Sequence, residues 1–315
     1  MSNRLRAYLD ICIRATAILC LAFAVAPTRS LAGDSVEKHL RDQYAGKTLI
    51  LRNFYSGQKL VYDSAGQLSG FANSGDWTID GVVQIEDLRV SNHRLTLRAK
   101  RLRMGWPGKG GILPIEDAKE KKSKEVTRTL QIEADVRAAT ADEADALLAR
   151  IFLTPQDHFA NLVPDYWKPC LIAALTGNDS THYRCRLSAE FLAIPGVASV
   201  STSGLDPGLA AGSKAGREVF HVVRGNGVSY AKVINNASPE FSEEARLAKY
   251  GGVVDLAFVV DESGGVRDIR IRSPLGMGLD EKAVEAVSKW TFRPGTKDGE
   301  PVAIEMNTDV SFNLY

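Results

Sequence analysis

The chain contains little cysteine and little histidine, with four Cys and five His among its 315 residues. It also has no P-loop, no dinucleotide-binding fingerprint and no zinc-protease helix motif. None of the histidines shows metal-ligand spacing, so we interpret each as a surface or packed structural residue: His39, His93, His158, His182 and His221. We therefore predict a protein without catalytic residues, metal or cofactor, and not an enzyme.

An excess of charge of one sign is absent as well. The chain has 39 Lys and Arg against 38 Asp and Glu, a formal net charge of +1. A balanced chain shows no general affinity for polyanions, so we predict no nucleic-acid partner. The mixed-charge run at residues 116–125 alternates Lys with Glu and is interpreted as an exposed loop or hairpin tip.

Long apolar runs are missing too, and the apolar stretch at residues 15–26 is shorter than the ~20 residues that span a bilayer. Arg4 and Arg6 precede it, and the small residues of "SLA" at 30–32 follow it. This order is typical of a secretory signal peptide, so we predict export with cleavage near residue 32. An uncleaved membrane anchor is the alternative, and only that form would associate with a membrane.

Export affects how the cysteines are interpreted. Cys12 and Cys20 lie in the signal segment, which leaves Cys170 and Cys185 for the mature chain. Two cysteines in an exported protein usually pair, and closing a loop of about 15 residues contributes on the order of 3 kcal/mol. We predict a disulfide. Two free buried thiols are one alternative, and a metal site that adds His182 is another, one ligand short of a structural zinc site.

The pattern of apolar residues divides the rest of the chain. Residues 46–110 alternate apolar and polar positions and break at Gly-containing turns, which predicts a small antiparallel sheet or half-open barrel. In the following α/β segment, Thr140 and Glu143 form a capping box at the start of a helix. The predicted divisions are a signal peptide over 1–32, a β-rich domain over 33–125, an α/β segment over 126–195, a Gly/Ser/Ala linker over 196–219 and a C-terminal domain over 220–315.

The C-terminal domain has the clearest pattern. Ser242 is placed to cap a short helix, and residues 252–260 alternate as a strand. The glycine-rich "SPLGMG" at 273–278 precedes a second amphipathic helix and resembles a phosphate-binding loop. Asp280 at the helix start would repel phosphate, so we interpret the loop as a turn that directs the helix into the core. A long strand, "PVAIEMNTDVSFNLY", follows.

These elements resemble, in order, the C-terminal domain of the TonB energy-transducer family. The matching stretches are "VDESGGV", "GLDEKAVEAVSKW", "FRPG", "DGEPV" and "VSFNL", and the resemblance covers about residues 226–315. It implies an α+β fold, a three-stranded antiparallel sheet with two helices on one face. It also implies a periplasmic domain that binds an extended segment of an outer-membrane receptor by strand addition and passes force to it.

The chain departs from an energy transducer in three respects. Its N-terminal segment has the pattern of a cleavable signal, a folded region replaces the Pro-rich spacer, and no His lies between residues 1 and 38 to match the family's transmembrane motif. We therefore expect a periplasmic, non-enzymatic protein that binds a protein partner by strand addition, in outer-membrane transport. A membrane-anchored transducer variant and an envelope protein that binds a small ligand through the β-rich domain are the alternatives.

The expected partner-binding residues lie on the last strand. Backbone groups at its edge would bond the partner, and alternate side chains would select it. The predicted positions are Ile304, Met306, Thr308, Val310 and Phe312. A homodimer is left open.

Overall fold

The computed structural model describes residues 31–115, 128–136, 140–177, 182–199, 218–223 and 225–314. Nearly all of the predicted signal peptide, the charged run and most of the predicted linker lie outside these residues. Within them, no helix combines the length and the apolar character needed to cross a membrane.

The described chain is a mixed α+β structure. Its strands are β1 Thr48–Ile50, β2 Lys59–Tyr62, β3 Val82–Ser91, β4 Arg94–Arg101, β5 Met104–Gly105, β6 Leu113–Pro114, β7 Thr129–Asp135, β8 Lys232–Asn235, β9 Gly252–Val260, β10 Val266–Ser273, β11 Thr291–Arg293, β12 Gly295–Lys297, β13 Glu300–Val302 and β14 Ile304–Phe312. The α-helices are α1 Leu31–Tyr44, α2 Ala141–Ile151, α3 Lys168–Thr176, α4 Ala189–Leu192, α5 Glu243–Ala248 and α6 Leu279–Ser288.

The strand-rich region forms one five-stranded sheet in the order β1-β3-β4-β7-β2. Strict alternation along β4 buries Leu95, Leu97 and Ala99, as a half-buried strand requires. Helices α1 and α2 pack beside this sheet, and Leu40 and Leu148 enter its core. The sheet is not purely antiparallel, because β7, from the predicted α/β segment, pairs in parallel with β2.

The C-terminal part contains the predicted three-stranded antiparallel sheet, in the order β10-β9-β14. Helix α6 packs on β9 and β10, and α5 buries Ala245 and Ala248 in the same core. Ser242 caps α5, because its hydroxyl accepts the backbone N–H of Ala245 at 3.2 Å. The fold class predicted from the sequence is confirmed.

A single hydrophobic core joins the two parts. Trp77 lies at its centre, with ring centroids 5.0 Å from Phe159 and 5.1 Å from Trp167 in edge-to-face geometry. Main-chain bonds cross the same junction: the N–H of Trp106 donates to the carbonyl of Leu275 at 3.0 Å. The C-terminal sheet is therefore packed against the region that precedes it.

Candidate partner-binding edge

Strand β14 is an edge strand of the C-terminal sheet. One side pairs with β9 along its whole length, from Ile304 opposite Val260 to Phe312 opposite Gly252. On its other side, the described residues make one isolated bridge, in which Phe220 lies parallel to Ile304.

The direction of each backbone group along β14 follows from that bridge. The N–H of Glu305 donates to the carbonyl of Phe220 at 3.1 Å, so Glu305 points its backbone groups away from β9. N–H and C=O groups alternate sides along a strand, so Asn307, Asp309 and Ser311 point outward as well. We call the outward N–H and C=O groups of these three residues the acceptor edge. No other described strand pairs with them.

The five residues predicted from the sequence occupy the alternate positions of the same strand. Ile304, Val310 and Phe312 are buried in the core, and Met306 and Thr308 are half-buried. Their backbone groups face β9, so the predicted positions form the core-facing set of β14. The polar residues between them, Asn307, Asp309 and Ser311, carry the outward backbone groups. Their polarity is the sequence signal that could have identified them.

The opposite edge of the sheet, at β10, is covered. The N–H of Ile271 donates to the carbonyl of Tyr166 at 2.9 Å, and the N–H of Arg184 donates to the carbonyl of Arg272 at 2.7 Å. The covering residues lie within or beside the loop closed by Cys170 and Cys185, whose Cα atoms are 5.5 Å apart across a disulfide. The predicted disulfide is thus present, and it closes the segment that lies along β10.

Charged groups line the sheet face that carries the acceptor-edge side chains. Asp255 is buried and its Oδ2 lies 2.9 Å from Nη2 of Arg184, while Oε1 of Glu305 lies 3.1 Å from Nη2 of Arg270. Asp309 stands opposite Asp255 in the strand register, is exposed, and forms no ion pair with any residue that the structure describes. The acceptor edge thus presents a carboxylate next to backbone groups that no described strand pairs.

The glycine-rich turn before α6 is filled by the chain itself. The two carboxylate oxygens of Asp280 accept the N–H groups of Leu275 at 2.9 Å and Gly276 at 2.5 Å. Burial raises the pKa of Asp280 to about 7, although these N–H groups act to lower it. Gly278 donates to Oγ1 of Thr78 at 3.0 Å, which ties the turn to the preceding region. The N–H groups expected of a phosphate site are used in packing.

Across the described ranges, no three or more His, Cys, Asp or Glu side chains are grouped as metal ligands. Cys170 and Cys185 are joined to each other, so the metal alternative that adds His182 is excluded by the disulfide.

The C-terminal region is similar to known proteins. Residues 237–314 match the family model described as Gram-negative bacterial TonB protein C-terminal. The C-terminal sheet is thus TonB-like. A solution NMR structure of the Pseudomonas aeruginosa TonB CTD matches at 21% identity, covers 30% of this chain and 93% of that chain, and gives a TM-score of 0.24. No curated protein matches the chain.

The family match confirms the resemblance inferred from the sequence for the C-terminal residues. The TonB-like region includes all of β9, β10, α6 and β14, and therefore the acceptor edge. The five-stranded region that precedes it has no recognised family.

Proposed function

We propose that this protein is an exported, non-enzymatic envelope protein that binds an extended segment of a protein partner by strand addition at the acceptor edge. The observation that carries the proposal is the row of outward backbone groups on Asn307, Asp309 and Ser311 within a TonB-like domain. An edge strand of this kind supplies main-chain hydrogen bonds to any chain that pairs with it.

The two edges of the sheet favour β14 as the binding strand. Bonds to Tyr166 and Arg184 occupy backbone groups on β10, whereas the described chain leaves the middle and end of β14 unpaired. Side chains on alternate positions then select the partner. Exposed Asp309 favours a Lys or Arg on the incoming strand, since opposite charges directly across a strand pair attract.

A proline substitution tests the proposal on the full chain. Asp309→Pro removes one outward N–H and leaves the bonds to β9 in place, because residue 309 does not use its N–H for that pairing. Asp309→Asn is the matched control, since it changes the side chain and keeps the backbone donor. A photo-crosslinking residue at exposed Ser311 reports the bound chain in the cell envelope.

The expected result is partner cross-linking at wild-type levels with Asp309→Asn and at least about tenfold less with Asp309→Pro, since a lost hydrogen bond and a disturbed pairing together exceed ~1.4 kcal/mol. Equal cross-linking by the two variants would exclude strand addition at this edge. The disulfide and the signal-like N-terminal pattern support export, and the first residue of the mature protein tests it: a chain that starts at Met1 in the cell envelope would favour the anchored variant.

A further inference from the structure

Residues 218–223, which we call the strap, lie beside the beginning of β14. The N–H of Phe220 donates to the carbonyl of Ala303 at 2.9 Å, and its carbonyl accepts the N–H of Glu305 at 3.1 Å. The strap therefore already forms a single parallel bridge with the same side of β14 that carries the acceptor edge.

The strap is held by few contacts. Nζ of Lys297 lies 4.4 Å from the ring centroid of Phe220, a cation–π contact. Nε2 of His221 lies 3.7 Å from a carboxylate oxygen of Glu305, and the His221 side chain is 64% exposed. All strap residues are exposed or half-buried. A pairing this short, with so little buried surface, is expected to open easily.

A turn begins at Val223, three residues after Phe220. The side-chain amide of Asn226 donates to the carbonyl of His221 at 2.8 Å, and its backbone N–H donates to the carbonyl of Val223 at 3.2 Å. The chain therefore turns away from β14 before it reaches Asn307. With the strap in place, an incoming strand meets three residues that no described strand pairs, and it meets a longer row that includes Ala303 and Glu305 once the strap has left.

We propose that the strap is a built-in competitor for the binding strand, displaced when an extended partner pairs with the whole of β14. The inference rests on the proposed function. It also specifies the partner's chemistry: an extended segment with an aromatic residue in the place of Phe220, against Lys297. Because the strap is joined to the domain, its high effective concentration reduces the affinity of any partner that needs the same groups.

The test uses the full chain and a synthetic peptide of residues 216–223, "GREVFHVV". Phe220→Pro removes both the N–H that donates to Ala303 and the ring that contacts Lys297, and Phe220→Tyr retains both. Amide hydrogen exchange at Glu305 reports release of the strap, and exchange at Met306, which faces β9, reports the integrity of the sheet. The peptide is titrated into each variant while the Glu305 amide signal is followed by NMR.

With Phe220→Pro, we expect exchange at Glu305 to be at least about tenfold faster, unchanged exchange at Met306, and a peptide Kd at least about fivefold lower than for wild type. Phe220→Tyr should resemble wild type in all three. Unchanged exchange at Glu305, equal peptide affinity in wild type and Phe220→Pro, or no peptide binding at millimolar concentration would each overturn the proposal. These outcomes are independent of partner cross-linking. If the peptide experiment shows no competition by the strap while the partner is still cross-linked, only the proposal about the strap is refuted. The reverse pattern refutes the proposed function and leaves only the strap's competition with a free peptide.

Discussion

The indole N–H of Trp167 donates a hydrogen bond of 2.9 Å to Oε1 of Glu281. Trp167 belongs to the aromatic cluster of the preceding region, and Glu281 lies in the first turn of α6 in the TonB-like domain. The bond therefore links the two parts of the chain at a buried indole. Burial also raises the pKa of Glu281 well above its ordinary value, with Asp76 and Asp280 nearby acting in the same direction.

Removing that acceptor should destabilise the protein. We expect Glu281→Ala to lower the free energy of unfolding by about 1–3 kcal/mol, because it leaves the buried N–H of Trp167 without a partner. Glu281→Gln keeps a carbonyl oxygen and buries no charge, so it should cost less, about 1 kcal/mol or below. Urea unfolding of the full chain at pH 8 measures both. Equal losses in the two variants would contradict a role for the hydrogen bond.

The buried carboxyl groups at this junction predict how stability depends on pH. Burial raises the pKa of Asp280 to about 7 and those of Asp76 and Asp80 to about 6, from 3.8. The folded protein therefore holds these protons more tightly than the unfolded chain. Their contribution to stability is complete below about pH 4 and is lost as the pH rises through 6 and 7.

We accordingly expect the free energy of unfolding to fall by on the order of 2–4 kcal/mol between pH 5 and pH 8. Chemical denaturation at fixed ionic strength over this range measures the slope. Asp280→Asn cannot titrate, so its slope should be shallower than that of the wild type, whatever its stability at a single pH. A wild-type stability that stays constant or rises over this interval would show that the junction carboxyls do not titrate in this way.

Sequence signals predicted the helix starts well, because helix capping joins residues that are close together in the sequence. Thr140 was expected to cap a helix with Glu143, and its Oγ1 accepts the N–H of Glu143 at 3.3 Å. Ser242 was expected to cap α5 and does so. These interactions join residues three positions apart, so the sequence contains all that decides them.

The same reasoning could not predict contacts between residues that are far apart in the sequence. Strand β7 lies between β4 and β2, and its parallel pairing with β2 joins segments about 70 residues apart, which no turn signal specifies. The packing of Trp77 against Trp167 depends in the same way on tertiary contacts. For β14, alternation identified the strand, but which residues face outward depends on the neighbour that β14 takes.

The glycine turn before α6 gives a steric prediction. Gly276 has φ +84°, and a Cβ added there would lie 2.6 Å from Cα of Gly105 and against the carbonyl of Met104. Gly276→Ala should therefore cost at least about 3 kcal/mol or prevent folding, since both backbones belong to the packed junction. Gly299, with φ +93° and open space around it, is the matched control. Gly299→Ala should cost only about 1 kcal/mol, from backbone strain alone.

Thermal unfolding of both glycine variants measures the difference, and circular dichroism before heating shows whether Gly276→Ala has folded. Similar stabilities would mean that the junction can move apart to admit a methyl group. Such a result would contradict close packing of β5 against the turn.

The disulfide is expected to stabilise the residues that bond to the β10 edge, around Tyr166 and Arg184, which we call the cover. Cys170 and Cys185 are 15 residues apart in sequence, so loss of the cross-link should reduce the free energy of unfolding by about 2–4 kcal/mol. Replacing both cysteines by serine should have this effect, and adding reductant to the wild type should reproduce it. The double variant should not respond to reductant, which controls for other effects of the reagent.

Amide hydrogen exchange then shows which part of the protein loses stability. The Ile271 amide bonds to Tyr166 of the cover, so it should exchange faster in the double serine variant under native conditions. The Val310 amide pairs with β9, away from the cover, and should keep its protection unless the whole protein unfolds. Selective loss at Ile271 would show that the disulfide holds the cover on the β10 edge. Parallel loss at both amides would instead mean that the disulfide stabilises the protein only globally, and that the cover does not open by itself.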